Sequence, residues 1–469
     1  MTRRPAYLAA LFLLTASYVG AAATLCLGAS CSPSSDALSQ WGQGCSTQGE
    51  FGFGGGGLLI CDSSRFRYAL RSDVPDGTYG GFVTRPSWFP ALRTQAGLPA
   101  EDCHLTLSQA PIDPADVTSI VPYGSMVGQH VTPIDHQYIG VAPLALSSQD
   151  RLTVPYVPIR APANGTITAI SSLGSPTSMR VDMAHACETL TVFMVVNQLA
   201  GVLAPYQEEI SKGGSRNLSL EVKAGDVFGA QRDNPLDFAV QDGHTWLSGF
   251  AHPFPYASSE QWKPYTADPL LYFTPEISAQ YGAKMQRLAE PRSGRLAVDK
   301  AGTAAGNWFL EGTIGYGGRT VDEYRNAKAS IPGGPVPGKN GYSWNHLSLA
   351  PHWVDPSVWY ASIGAWSDPA GDFKQFTIRP GPPDPEHLTF SDGIAVYELA
   401  MWSPTSADGG TINMTNPPIG FLVQVAGPTL GVLAVRVNND NTLTVEKRPD
   451  ITRASDFSGF SNRAEKYWR

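Results

Sequence analysis

Charge is scarce in this chain. Only 16% of its 469 residues are Asp, Glu, Lys or Arg, and they leave a net charge of -8. A surface that grips phosphate needs clustered Lys and Arg. No such cluster occurs, which argues against nucleic acid and anionic membrane as partners. Long apolar runs are equally sparse: after the stretch from Ala6 to about Ala23, none is long enough to cross a bilayer. Several catalytic signatures are missing too. There is no G-x-S-x-G nucleophile elbow, no H-E-x-x-H, and no Gly-rich loop followed by Lys-Ser or Lys-Thr. The FGFGGGG run at Phe51 to Gly57 lacks the strand-to-helix setting that a nucleotide requires and reads as a flexible segment. No C-x-x-C pair supports a zinc knuckle, and no internal repeat of about 20 to 50 residues is evident.

Glycine and proline, by contrast, are abundant at 48 and 38 residues, a density of turns that favours short strands over long helices. The length exceeds one ordinary domain, so two folded units behind a processed N-terminus are expected. Residues 1–23 read as a secretory signal peptide, because Arg3 and Arg4 precede the apolar run and Ala21, Ala22 and Ala23 form an A-x-A-like cleavage site. A single uncleaved membrane anchor is the alternative; with the signal removed, no stable membrane span is left. A secreted or periplasmic chain can oxidise its cysteines, so disulfides are expected. Cys26, Cys31, Cys45, Cys61 and Cys103 fall in a Cys- and Gly-rich lead-in, residues 24–109, and Cys187 falls beyond it. Spacing does not choose among the pairings.

From residue 110 to 274 the pattern is one of β-branched and aromatic runs bounded by Gly, Pro, Asn or Ser. They span Ile159 to Ile170, Met179 to Met183, Leu190 to Val196, Leu218 to Val222 and Leu236 to Val240. Residues 275–290 read as a helical linker. Strand signals resume over residues 291–469. They fall near Trp344 to Ala350, Val358 to Ala365, Phe373 to Arg379, Ile394 to Leu399, Gly420 to Val425, Thr429 to Val437 and Thr442 to Lys447, with a hairpin turn at Asn438 to Asn441. About eight antiparallel strands would close a barrel and remove its edges. The opening Gly306-Asn307-Trp308 resembles the Gly-x-Trp start of lipocalin-type barrels, which implies a lipocalin-like second domain. The fold class expected is mainly β, with two β-barrel or sandwich domains.

Three pieces of the first unit point to chemistry: GQHVTPIDH (Gly128 to His136), VPIRAPANGTITAI (Val157 to Ile170), and VKAGDVFG followed by NPLDFAV (Val222 to Val240). A strand delivers alternate side chains to one face, so strands can gather His and carboxylate ligands around an ion. The order of these pieces resembles the lysostaphin-type zinc metallopeptidases, with APANG and VKAGDVFG matching that family's scaffold turns. The resemblance implies a divalent metal, zinc by family habit, held by His130, Asp135 and Asp237, with His136 and His185 as assisting catalytic histidines. The chain departs from the pattern in three places. The His130–Asp135 spacing is one residue too long, Pro235-Leu236-Asp237-Phe238 stands where the family has H-x-H-F, and Phe193-Met194-Val195 lacks the Tyr-x-His histidine. An extra carboxylate makes the site harder and favours oxygen-loving metals.

Each of these residues also has a plainer reading. Asp135 and Asp237 serve turns or hydrogen bonds equally well. His185, beside Cys187 at a strand end, fits a buried hydrogen-bonded histidine, and His136 shares a site with Asp135 only if the chain turns there. His252, His346 and His352 lie among aromatics and prolines, where packing explains them. Two functions follow: a secreted metal-dependent hydrolase acting on peptidoglycan or another extracellular polymer, or a catalytically inactive secreted protein that binds glycan or a small apolar ligand. The second draws on Trp246, Trp262, Trp308, Trp344, Trp353, Trp359 and Trp366, whose faces stack on sugars or line pockets.

Overall fold

The computed structural model describes residues 104–469 except 129, 246, 248, 251–255, 257–259, 261, 314, 315, 317, 319–343, 367–373, 407, 409, 411 and 413–418, together with Gln48 and three strands between 51 and 68. The expected signal segment 1–23, Trp246, His252, Cys26, Cys31, Cys45 and Cys103 lie outside the described residues. Of the described cysteines, Cys61 and Cys187 are both buried, no bridge joins two described cysteines, and neither is a free thiol. Among the described residues no helix is long and apolar enough to cross a membrane.

The Gly-rich lead-in is more regular than its composition indicates. Strands β1 (Phe51–Gly54), β2 (Gly57–Asp62) and β3 (Arg65–Tyr68) form an antiparallel meander in which Gly54 pairs with Gly57.

Among the described residues, eleven strands follow in the first body: β4 (Val117–Val121), β5 (Gln137–Val141), β6 (Val157–Arg160), β7 (Gly165–Ser175), β8 (Ser178–Ala184), β9 (Thr189–Val196), β10 (Gln198–Leu199), β11 (Ser215–Val222), β12 (Val227–Gln231), β13 (Leu236–Asp242) and β14 (Thr266–Ala267). One antiparallel sheet runs β11-β7-β8-β9-β13-β5-β4 with β14 on the edge of β13, and a small sheet runs β10-β12-β6. The two sheets face each other: Phe228 of β12 packs edge-on against Phe193 of β9 at 4.8 Å, and Phe193 meets Phe238 of β13 at 5.3 Å. Ile120, Ile139, Ile159, Ile167, Val181 and these rings are fully buried in that layer, each contributing about 1.5 to 3 kcal/mol by leaving water.

The two turns noted in the sequence dock on each other. Ala161 N–H donates to the Asp226 carbonyl at 2.9 Å, Gly225 N–H returns to the Ala161 carbonyl at 2.9 Å, and Ala224 N–H donates to Asn164 Oδ1 at 2.9 Å. Thus APANG and KAGD form one corner that joins the sheets. Within the expected linker, residues 275–290, the helix spans Pro275–Gly282 and buries Tyr281, whose hydroxyl donates to the Ile112 carbonyl at 2.7 Å.

Beyond it, β15 (Gly306–Leu310), β16 (His346–Pro351), β17 (Trp359–Ile363), β18 (Lys374–Ile378), β19 (Ala395–Thr405), β20 (Leu422–Val437), β21 (Leu443–Arg448) and β22 (Glu465–Trp468) form a closed eight-stranded antiparallel barrel in chain order. Asn438 to Asn441 turns between β20 and β21, with Asn441 at φ 59°, a backbone setting that Asn tolerates. Two runs read separately, near Gly420 and Thr429, are one strand, β20, and β22 has too little apolar pattern to stand out in the sequence. Trp308, Trp359, Trp366, Phe376, Tyr397 and Leu433 fill the interior. The terminal Arg469 closes its end, with the guanidinium 3.9 Å from the Trp308 ring and donating to the carbonyls of Lys300, Thr303 and Ala305.

Candidate functional site

The face of the large sheet turned away from its core carries the ionisable residues. Asp237 on β13 pairs with Tyr138 of β5 on one side and Met194 of β9 on the other, and directly paired residues project to the same face. Just before β5 the chain bends at Asp135 and His136. That bend lets two successive side chains converge where a straight strand would send them to opposite faces.

His136 lies between two carboxylates. Its Nδ1 donates to Asp135 Oδ1 at 3.1 Å, and its Nε2 stands 3.5 Å from Asp237 Oδ2. The His130 ring meets it edge-on at 5.8 Å and the Tyr138 ring at 5.1 Å. The other Asp135 oxygen accepts from Trp262 Nε1 at 2.7 Å. A short segment over this face adds Lys263, 1% exposed in its side chain, whose ammonium pairs with Glu260 at 2.8 Å and donates to the Tyr316 hydroxyl at 3.0 Å. Arg180 and Asp182 form an ion pair at 2.7 Å beside it, with the guanidinium 5.9 Å from the Trp262 ring.

Burial and charge act in opposite directions here. Burial raises the Asp135 carboxyl, but the Lys263 ammonium, His136 and the Trp262 N–H outweigh it and hold the group well below the usual carboxylate range. At Asp237 burial outweighs the lowering by His136 and, with the Asp135 charge adding, pushes the group up to about 6. Burial lowers His136, yet the two flanking carboxylates raise it overall. Burial, the neighbouring His136 and Lys263 bring His130 down to about 3. Asp135 is therefore held as an anion, His130 is held neutral, and His136 and Asp237 are both raised and face each other.

Four of the five residues singled out in the sequence thus come together: His130, Asp135, His136 and Asp237. His185 does not join them. Its Nδ1 donates to the Asn164 carbonyl at 2.8 Å and its Nε2 accepts from the Thr191 hydroxyl at 2.8 Å, so both nitrogens are used. Thr191 pairs with Val240, three residues along β13 from Asp237, and burial brings His185 down to about 4 with no charged neighbour acting on it. His185 clamps the APANG turn; a Cβ on Gly165 would lie 2.7 Å from its Nδ1.

The donor set decides how well a divalent cation fits. A zinc-like ion needs at least three donor atoms converging at about 2 Å. Both Asp135 oxygens are already hydrogen-bonded, Asp237 faces an imidazole, and among the described residues no three His, Cys, Asp or Glu groups converge as a metal site. As placed, the His130, Asp135 and Asp237 side chains fit an array in which His136, rather than a cation, sits between the carboxylates. Sequence reasoning missed Glu260, Lys263 and Tyr138. A lysine in an unremarkable Gln-Trp-Lys-Pro stretch carries no signal of burial; only its packing against Tyr316 creates it. No protein-family model matches the chain, and no curated protein is similar to it in sequence.

Proposed function

We propose that the protein is a secreted hydrolase whose reaction centre is the His130, Asp135, His136 and Asp237 cluster. One observation carries this reading: an imidazole is held between two buried carboxylates at 3.1 and 3.5 Å on one face of the large sheet. Such a constellation performs general acid–base work, the type of step worth about a hundred- to ten-thousand-fold in rate. Asp135 fixes the orientation of the ring through Nδ1. The His136–Asp237 pair takes a proton from water as that water's oxygen attacks the substrate's acyl or glycosyl carbon, and returns it to the leaving group. Neutral His130 offers a hydrogen bond to the substrate, and Lys263 with Trp262 keeps Asp135 ionised. No step runs through a metal.

The test is turnover on peptidoglycan, ester and glycan panels, with and without chelator, alongside elemental analysis. The expected result is hydrolysis that survives chelation and falls at least about a hundredfold in Asp237→Asn and in His136→Gln. Stoichiometric metal with activity lost on chelation would overturn the metal-free centre and place a cation between the carboxylates. Absence of turnover on every panel would leave a second reading, a secreted binding protein for a small apolar ligand, which the aromatic cavity between the two bodies favours.

A further inference from the structure

A cavity of about 300 Å³ lies where the first body meets the barrel, lined on one side by Thr118, Ser119, Ser125, Tyr138 and Gln286, and on the other by Trp353, Trp402 and Phe421. That volume holds about ten waters at about 30 Å³ each, or one small organic molecule. Its walls are held in place: Gln286 N–H donates to the Ile120 carbonyl at 2.9 Å, the Gln286 carbonyl accepts from Gly420 N–H at 2.8 Å, and Gln286 Nε2 donates to Ser119 Oγ at 3.3 Å. Trp353 stacks on His352 at 3.9 Å, and the Trp402 N–H is spent on the Tyr360 hydroxyl at 3.2 Å, so Trp402 offers a face and not a donor. No described lining residue carries a charge. One polar atom stands out: the Ser125 hydroxyl belongs to a fully buried residue and has no hydrogen-bond partner among the described residues.

We infer that this cavity is a binding site for a small uncharged molecule with a flat apolar body and a single carbonyl or hydroxyl group, which pairs with Ser125. The walls select the class. Aromatic faces favour a planar apolar body, an uncharged lining rejects ions because nothing offsets their desolvation, and a buried hydroxyl left unpaired is relieved by one acceptor or donor on the ligand. A volume near the lower end of small-molecule sites suits one small molecule and leaves too little room for a polypeptide segment. The inference is independent of the hydrolase reading, since none of the four clustered residues lines the cavity.

The probe is prodan, an uncharged naphthyl ketone whose emission reports on hydrogen bonding at its carbonyl. Titrated into the full chain, it is expected to bind saturably at one site and to receive energy transfer from Trp353 and Trp402. Ser125→Ala, which leaves no buried polar atom behind, is expected to weaken binding about fivefold and shift the bound emission to the blue. Ala145→Trp, at an exposed residue on the cavity's rim, is expected to block binding. His136→Gln is expected to bind prodan as the parent does, which separates this site from the reaction centre. Unaltered affinity in either Ser125→Ala or Ala145→Trp, or no saturable binding to the parent protein, overturns the inference.

Discussion

Histidine 352 makes the stability of this protein depend on pH in a way that can be isolated. The ring is fully buried, stacked on Trp353 at 3.9 Å and 20°, edge-on to Trp402 at 5.0 Å and to Tyr360 at 5.4 Å. Its Nδ1 accepts from the N–H groups of Val354 at 3.1 Å and Asp355 at 3.4 Å, so the neutral ring carries its proton on Nε2. Burial brings it from 6.5 down to about 3; the Asp355 carboxylate opposes that fall and the Arg287 guanidinium deepens it. Because the folded value is the lower one, the unfolded chain binds a proton first as pH drops. Stability is therefore fully present above about 6.5 and declines as pH falls from there toward about 3. Between about pH 7 and about pH 4.5, two-state linkage gives a loss of about 2.5 kcal/mol from this residue.

The perturbation is His352→Asn, whose side-chain oxygen can still accept from the N–H two residues on, as Asx turns do, but which does not titrate. At neutral pH the variant is expected to be less stable by about 2 to 4 kcal/mol, since a stacked ring is replaced by a smaller group. Urea unfolding followed by tryptophan fluorescence at both pH values supplies the assay. The parent is expected to lose about 2.5 kcal/mol more than the variant on acidification, because His185 and every other titrating group is common to both and cancels. Equal acid sensitivity in the two proteins would refute the reasoning.

Four further outcomes are expected. Lys263→Met strands the buried Glu260 carboxylate and should cost about 3 to 5 kcal/mol in urea unfolding, while adding Glu260→Gln to it should recover most of that loss. Gly165→Ala drives a Cβ to 2.6 Å from the Ala184 carbonyl and 2.7 Å from His185 Nδ1, so the APANG corner must shift, at about 1 to 3 kcal/mol by thermal unfolding. Arg469→Ala removes a guanidinium stacked on Trp308 and three charge-assisted bonds to carbonyls; about 2 to 4 kcal/mol of barrel stability should go with it in denaturant titration. Trp262→Phe deletes a hydrogen bond to Asp135, which should raise the Asp135 carboxyl, detectable as a move of its carboxyl-carbon NMR titration midpoint to higher pH, toward the usual carboxylate range.

The amino-acid sequence alone determined the local side of this structure. Runs of β-branched and aromatic residues between Gly, Pro and Asn turns marked β8, β9, β13, β16, β17 and β21 to within a few residues: β8 alternates in burial, while β9, β13, β16 and β17 are buried almost throughout and read as continuous apolar runs. APANG, KAGD and the Asn438 to Asn441 turn were legible too: each needs particular residues for its own backbone. A motif resemblance, not spacing, suggested that His130, Asp135, His136 and Asp237 share a region, and their surroundings are set by distant partners. Tertiary packing set Trp262 against Asp135 and buried Lys263 beneath Tyr316. It also spent both nitrogens of His185 on a turn, and closed an aromatic cavity between residues more than 200 positions apart, such as Ser125 and Trp402. Burial and electric field are properties of a neighbourhood, and a neighbourhood assembled from remote segments has no imprint in any one of them.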